Sequence, residues 1–400
     1  MIGALRALPP TVWTLGVVSL LNDSASEMIY PLVPLYLSSV LMAGPRALGL
    51  IEGLAEATAS LLKLFSGVVV DRTQRTKPWL VVGYGLATIG RPLIALATSW
   101  PALLAIRLAD RIGKGLRSSP RDALLAASVA PRQRGLAFGL HRAMDNAGAV
   151  VGPLAAAALL ALGVPLAQVF VIALVPGLGA LALTLALREP REATAVRTAR
   201  PEPFDWRLRG LPAGFRRYLV AVALFTLGNS SNMFLLLRAR ELGVPQYQVP
   251  LLWAAVSAIA AVFSAPLSAW SDRIGRGRLI VAGWLAYALF YLGMGALPAG
   301  SGWLYGLFGF YGLFMAATEG VEKALVADFA PPRLRGTAYG WFNLVAGAML
   351  LPASVVFGAL YQRAGAAAAF AFSAACALAA ALMLAAWVRP SAVALDAVKP

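Results

Sequence analysis

Acids and bases recur at helical spacing inside long apolar runs of this chain. Asp23 and Glu27 stand four residues apart, which puts both on one face of a helix. Glu52, Glu56 and Lys63 fall within about 40° of one another at 100° per residue. Arg91 directly precedes Pro92, and Arg107, Asp110, Arg111, Lys114, Arg117, Arg121 and Asp122 share one broad stripe. His141 and Asp145 are again four apart, with Arg142 between them. Later, Glu319, Glu322 and Lys323 are charged, while Asn229, Ser230, Ser231 and Asn232 form an uncharged polar cluster.

Such groups suit proton exchange and ion pairing. A carboxyl among apolar neighbours can bind and release a proton, as expected for Asp23 and Glu27. Arginine forks match carboxylate and phosphate, as expected for Arg91, Arg107 and Arg111 with Lys114. Bond-making chemistry is not expected: no nucleophile–base constellation is present. The glycine run Gly113–Leu116 lacks the preceding strand of a nucleotide fold. One histidine and one cysteine, Cys376, make no metal cluster and no disulfide, so neither metal nor cofactor is expected.

The elements holding these groups must be membrane spans. Of 400 residues, 60% are hydrophobic and 13% charged, with a mean hydropathy of +0.73, too apolar for a soluble domain. Twelve segments reach the roughly 20-residue length of a spanning helix. They lie near 12–40, 47–70, 79–98, 101–127, 136–163, 166–187, 218–237, 247–270, 279–297, 303–328, 338–361 and 366–388. The expected fold is therefore all-α and polytopic. Each mid-bilayer charge costs about 2.5–3.5 kcal/mol, so the charged stripes must face a cavity or a partner. For residues 107–122 two readings stand: a self-neutralising ion-pair network, or a pathway for substrate or protons. Arg117, Arg121 and Asp122 are expected near the inner face within reach of water, and His141 is expected to be solvated or capping.

The net charge of +16 follows the topology and does not point to nucleic acid. Arg72, Arg75, Lys77, Arg132, Arg134, Arg273, Arg276, Arg278, Arg333 and Arg335 crowd alternate short loops. Basic loops stay inside, so both termini are expected in the cytoplasm, with the protein in a bacterial inner membrane. The expected division is a six-helix bundle over 1–187, a Pro- and Arg-rich cytoplasmic linker over 188–217, a second bundle over 218–388 and a tail over 389–400.

The two halves repeat one another. Asp71-Arg72 is answered 201 residues later by Asp272-Arg273, Arg75 by Arg276, and Pro131 to Gly135 by Pro332 to Gly336. A period this long is not a solenoid. Two large parallel repeats in an apolar chain imply a secondary transporter with its site where the halves meet.

The residues now resemble the major facilitator superfamily. Gly67, Asp71, Arg72, Arg75 and Lys77 match its first loop motif, departing at Gln74. Arg107 and Gly113 match the second, departing at Arg111. Gly148, Gly152 and Pro153 resemble its antiporter motif, with Ala156 and Ala157 where glycines are usual. The resemblance covers the whole chain and implies two pseudo-symmetric six-helix bundles working by rocker-switch alternating access. It further implies a cytoplasmic latch: Gly67, Asp71, Arg72 and Arg75, answered by Asp272 and Arg273, with the aspartates at helix N-termini. Gly148 and Gly152 would permit close helix packing beside Pro153.

Three functions follow as expectations. The first is proton-coupled export of a small organic or amphipathic molecule, with Trp253, Tyr287, Tyr291, Phe310 and Tyr311 either meeting an apolar ligand or simply packing. The second is uptake or exchange of an organic anion on the arginines of the fourth span. The third is lipid or lysolipid transport. Asp23, Glu27, Glu52, Glu56, Lys63, Arg91, Arg107, Asp110, Arg111, Lys114, Asn229, Asn232 and Glu319 are the candidate substrate and proton residues. The expected partners are a small-molecule substrate, protons and the bilayer, with the protein acting as a monomer.

Overall fold

A computed structural model describes residues 8–73, 75–130, 133–187, 211–330 and 334–387. Within these, the side chains of residues 64, 67–73, 134, 135, 265, 269, 272 and 335–337 lie outside the description.

Apolar length makes the helices, and proline and glycine divide them. α1 (Pro10–Ile29) starts with a proline in its first turn, whose missing N–H costs nothing there. A short 3-10 turn at Tyr30–Leu32 leads into α2 (Val33–Ser39). α3 (Pro45–Thr73), α4 (Lys77–Leu93), α5 (Trp100–Ala127) and α6 (Arg134–Ala161) follow. α7 (Leu166–Ile172) and α8 (Leu174–Ala186) form a broken sixth span.

The seventh span is broken as well. α9 (Ala213–Gly228) and α10 (Met233–Glu241) are separated by the polar run 229–232, where a single helix over 218–237 was expected. Asn229 leaves the helical region at φ −94°, ψ 75°. Asn and Ser side chains compete with the backbone ladder, so four in a row after a glycine end the helix.

α11 (Val249–Ile274) and α12 (Arg276–Ala296) are split by Gly275 at φ 97°, a conformation that favours glycine. After α13 (Trp303–Phe329), α14 (Arg335–Trp387) carries the last two spans, divided at Gly365 with φ 86° and ψ 170°. The result is an all-helical fold of about twelve spans, and among the described residues seven helical stretches are individually long and apolar enough to cross a membrane.

Two compact units emerge. The first takes the described residues of 1–43, 54–202 and 244–257; the second takes those of 44–53, 203–243 and 258 onward. In the first, α1 packs on α6 and α8, and α4 on α5. Small residues set these distances: a Cβ on Gly148 would come 2.6 Å from the Leu20 carbonyl, and one on Gly83 would come 2.7 Å from the Gly113 carbonyl. In the second unit, α14 packs on α9 and α12. Its core is aromatic: Phe225 stacks on Trp284 at 4.6 Å, Tyr287 on Tyr291 at 4.1 Å and Phe290 on Tyr311 at 4.7 Å. The start of α3 belongs here too, because Gly53 lies against Leu351 and Gly358 against Pro45.

Candidate functional site

The first unit buries a chain of charged and polar groups at its centre. α5 supplies Asp110, which is 4% exposed. Arg91 of α4 approaches it at 3.4 Å, Arg107 at 3.7 Å and Arg111 at 3.9 Å. Arg111 turns its Nε to Glu56 of α3 at 3.1 Å. Helical spacing explains the cluster: 107, 110 and 111 lie on one side of α5, with Asp110 toward Arg91 of α4 and Arg111 toward Glu56 of α3.

Arg91 extends the chain to α1. Its Nη1 donates to the Asn22 carbonyl at 3.2 Å and its Nη2 to the Asn22 side-chain oxygen at 3.0 Å. The Asn22 amide then donates to Asp23 at 2.9 Å. Asp23 lies within hydrogen-bonding reach of Asp145 on α6. Ser19 donates to the same Asp145, and Arg142 reaches it at 3.7 Å from the exposed side. A hydrogen bond between two carboxyls holds one proton, so this pair is a place where a proton can reside.

Glu27, one turn along α1 from Asp23, has different company. Trp253 donates its indole N–H to Glu27 at 2.8 Å and packs on the Tyr30 ring at 5.2 Å. Lys114, Arg111 and Arg107 are the basic groups whose charge acts on it. Lys114 itself is exposed.

The structure thus brings together Asp23, Glu27, Glu56, Arg91, Arg107, Asp110, Arg111 and Lys114. It separates the others. Glu52 shares a helix face with Glu56 but belongs with the second unit, where it is 1% exposed and accepts from the Ser231 hydroxyl at 3.4 Å. Lys63 and Glu319 are exposed. A further acid of the second unit, the half-buried Glu322, accepts from the Trp284 indole at 2.9 Å. Asn232 accepts from the Tyr311 hydroxyl at 2.6 Å, and Asn229 is half-buried in the break of the seventh span.

Two expectations are corrected. Arg117 does not reach water: it is 6% exposed, its guanidinium lies 4.9 Å over the Tyr84 ring, and it approaches the Gly83 carbonyl at 3.4 Å. Nor is His141 solvated: it is 4% exposed, on the Asp145 side of α6.

Of the expected latch, the side chains of Gly67, Asp71, Arg72 and Asp272 lie outside the described residues, while Arg75 and Arg273 are exposed. Lys77 closes the end of α8, donating to the Leu185 and Leu187 carbonyls at 2.7 and 2.8 Å. Gly148 and Gly152 both face α1, at Leu20 and Ser24. Pro153 lies inside α6 beside them.

Sequence spacing marks Asp145 only as a neighbour of His141. The available signal for more was its place three residues before Gly148, on the face through which α6 meets α1.

The comparisons agree on this architecture. The family model of the Major Facilitator Superfamily matches residues 15–237 and 218–400. An uncharacterized MFS-type transporter of Methanocaldococcus jannaschii is 33% identical over 365 residues, covering 89% of this chain and 90% of its own. A multidrug resistance protein, MdtH of Photorhabdus laumondii, is 28% identical over 329 residues, covering 79% of this chain and 78% of its own. In fold, a crystal structure of a point mutant of the nucleoside transporter NupG superposes with a TM-score of 0.79 at 15% identity, covering 95% of this chain and 100% of that one. This chain belongs to the Major Facilitator Superfamily: it is an integral membrane secondary transporter with multiple spans, and not an enzyme.

Proposed function

We propose that the chain is a proton-coupled exporter of a small organic or amphipathic molecule, working by rocker-switch alternating access. The observation that carries this reading is the pair of acids on α1. Asp23 shares a proton-holding contact with Asp145, and Glu27 faces a tryptophan and a basic cluster. Protonation of Glu27 removes a negative charge beside Arg107, Arg111 and Lys114, and protonation of Asp23 removes one beside Arg117, so proton and substrate occupancy are linked electrostatically. The likeness to MdtH, named a multidrug resistance protein, favours export over uptake.

A second reading, transport of an organic anion, has its own observation. Three guanidiniums, of Arg91, Arg107 and Arg111, surround Asp110, and Glu56 supplies the nearby second carboxylate. Protonation of Glu27 would leave that cluster with excess positive charge for an anionic ligand. In either case Gly67, Asp71, Arg72 and Arg75 with Asp272 and Arg273 act as the cytoplasmic latch. The protein works as a monomer in the inner membrane with both termini in the cytoplasm.

The test is flux in proteoliposomes under an imposed pH gradient. Asp23→Asn and Glu27→Gln are expected to abolish gradient-driven transport while sparing exchange. Unchanged driven transport in both variants would remove the acids from coupling. A thermal-shift screen against lipophilic cations, organic anions and lysolipids at pH 6 and pH 8 separates the substrate classes. Stabilisation by cations or neutral amphiphiles that is stronger at pH 8 supports export. Stabilisation by carboxylates or phosphates that is stronger at pH 6 moves the reading to the anion.

A further inference from the structure

Arg117 is a buried cation without an acid. It is 6% exposed, with its guanidinium 4.9 Å over the Tyr84 ring and 3.4 Å from the Gly83 carbonyl. Among the described residues, no carboxylate forms an ion pair with it. The other buried guanidiniums near the centre of this unit, those of Arg91, Arg107 and Arg111, each sit beside a carboxylate. A buried charge left unpaired costs stability, so it persists where the molecule uses it.

Tyr84 adds a second group without a partner. It is 1% exposed, and its buried hydroxyl makes no hydrogen bond. Asp23 and Asp145 are among the groups whose charge reaches that hydroxyl, and Arg117 is close enough to Asp23 to act on it as well. A lone guanidinium and a lone phenol therefore stand near one acid.

Asp23 and Asp145 stay in contact only while they hold a proton, because two bare carboxylates repel. Once the proton is gone, Asp23 needs another partner inside the bundle. Most of the surrounding groups are committed. Arg91 holds Asp110 and Asn22. Arg121 holds Asp122 through two contacts at 3.0 Å. Arg142, 62% exposed, reaches Asp145, and His141 shares α6 with that same acid. Glu27 is itself an acid and accepts from Trp253.

We infer that Arg117 and Tyr84 form the receiving place for deprotonated Asp23. The shared proton leaves to water, and Asp23 parts from Asp145 and pairs with the Arg117 guanidinium. The Tyr84 hydroxyl donates to the same carboxylate, and Asp145 stays with Arg142. α1, which packs on α6 in the present state, is thereby drawn toward α4 and α5. Proton release then changes the packing of the unit as well as its charge. Arg117 is a positioning residue here: it neither carries the proton nor touches substrate. The inference rests on the proton-coupled reading given above.

The experiment is pH-difference infrared spectroscopy of the purified full chain, reading the C=O stretch of protonated carboxyls. Asp23→Asn and Asp145→Asn identify the band that belongs to the pair. Arg117→Gln is expected to move the midpoint of that band to higher pH by about 1–3 units, because a nearby opposite charge favours the ionised carboxyl by that much. Arg117→Lys keeps the charge and should stay near the wild-type midpoint. Tyr84→Phe should move the midpoint the same way by less, with no loss of Tm at low pH, where the hydroxyl has no partner. An unmoved midpoint in Arg117→Gln, or an equal shift in Arg117→Lys, would overturn the inference. Should Arg117→Gln fail to fold, an unmoved midpoint in Tyr84→Phe overturns it. A wild-type spectrum with no titrating band that Asp23→Asn removes would overturn the shared proton itself, and the proton-coupled reading with it.

Discussion

Arg91 ties Asp110 to Asn22, with its Nε 3.4 Å from the Asp110 carboxylate and its Nη2 3.0 Å from the Asn22 side-chain oxygen. One guanidinium thereby bridges three helices, α5 through Asp110, α4 through its own backbone and α1 through Asn22. The planar fork is suited to this because its donors point in fixed, divergent directions. Through Asn22 the bridge places Arg91 two hydrogen bonds from Asp23, so a charge change at Asp23 is felt at Asp110.

Replacing Arg91 with Lys is therefore not conservative. A single ammonium cannot serve Asp110 and both Asn22 oxygens. We expect Arg91→Ala to lower stability by about 1.5–3 kcal/mol, because it removes the charged hydrogen bonds to Asn22 and one of the three guanidiniums at Asp110, while Arg107 and Arg111 remain. Arg91→Lys should fall in between. Thermal unfolding in detergent measures both, and a wild-type Tm for Arg91→Ala would refute the bridge.

Asp145 and Asp23 should behave as one proton-holding unit. Asp145→Asn is expected to impair gradient-driven flux as Asp23→Asn does. The double variant should then be no worse than the more affected single one, as for groups that act together. Additive losses in proteoliposome flux would mean that the two acids work separately.

Trp253→Phe keeps the ring against Tyr30 and removes only the N–H to Glu27. Loss of a hydrogen bond to an ionised partner costs about 1.5–3 kcal/mol in a buried setting. Because Glu27 is only half-buried, we expect a smaller loss of stability, about 1 kcal/mol. A change in the pH dependence of transport should accompany it. An unaltered pH–flux profile would separate Trp253 from the function of Glu27.

Gly148→Leu and Gly152→Leu push side chains into the α1 backbone at Leu20 and Ser24. Overpacking of this kind costs about 1–3 kcal/mol, and it would also part Asp23 from Asp145. Both variants should lose Tm and driven flux together. Gly139→Leu, on the same helix with open space around it, is the control expected to retain both.

The latch is tested by Asp71→Asn. Removing its charge should cut transport to about a tenth or less, the loss expected for one charge-assisted hydrogen bond of about 1.5–3 kcal/mol. Folding should be intact, as judged by size-exclusion profile and Tm. Normal flux would assign the repeated charge pattern of these loops to topology alone.

Much of this protein is legible residue by residue. Span lengths follow from apolar runs, and acids placed within those runs announce themselves by their cost in a bilayer. Asp23, Glu27, Arg91, Arg107, Asp110 and Arg111 are identifiable on that ground, and the structure groups them. The partners of these residues are not legible. Asp145 lies 122 positions from Asp23 in sequence, and nothing in either neighbourhood names the other. Glu52 and Glu56 look equivalent on a helical wheel, but they are enclosed by different units. The break at 229–232 has a compositional signal in Asn-Ser-Ser-Asn, which the apolar flanks outweigh.

Helix number, membrane residence, duplication and the set of ionisable groups can be read from the chain unaided, because each depends on local composition or on a repeated local pattern. Which charge meets which is a property of the packing. Ion pairs and carboxyl contacts form at a few ångströms, and those distances depend on how closely α1, α4, α5 and α6 approach one another. Small residues such as Gly83, Gly113, Gly148 and Gly152 allow that approach. Their effect is to remove side-chain volume, and that leaves no chemical mark in the sequence of the groups they bring together.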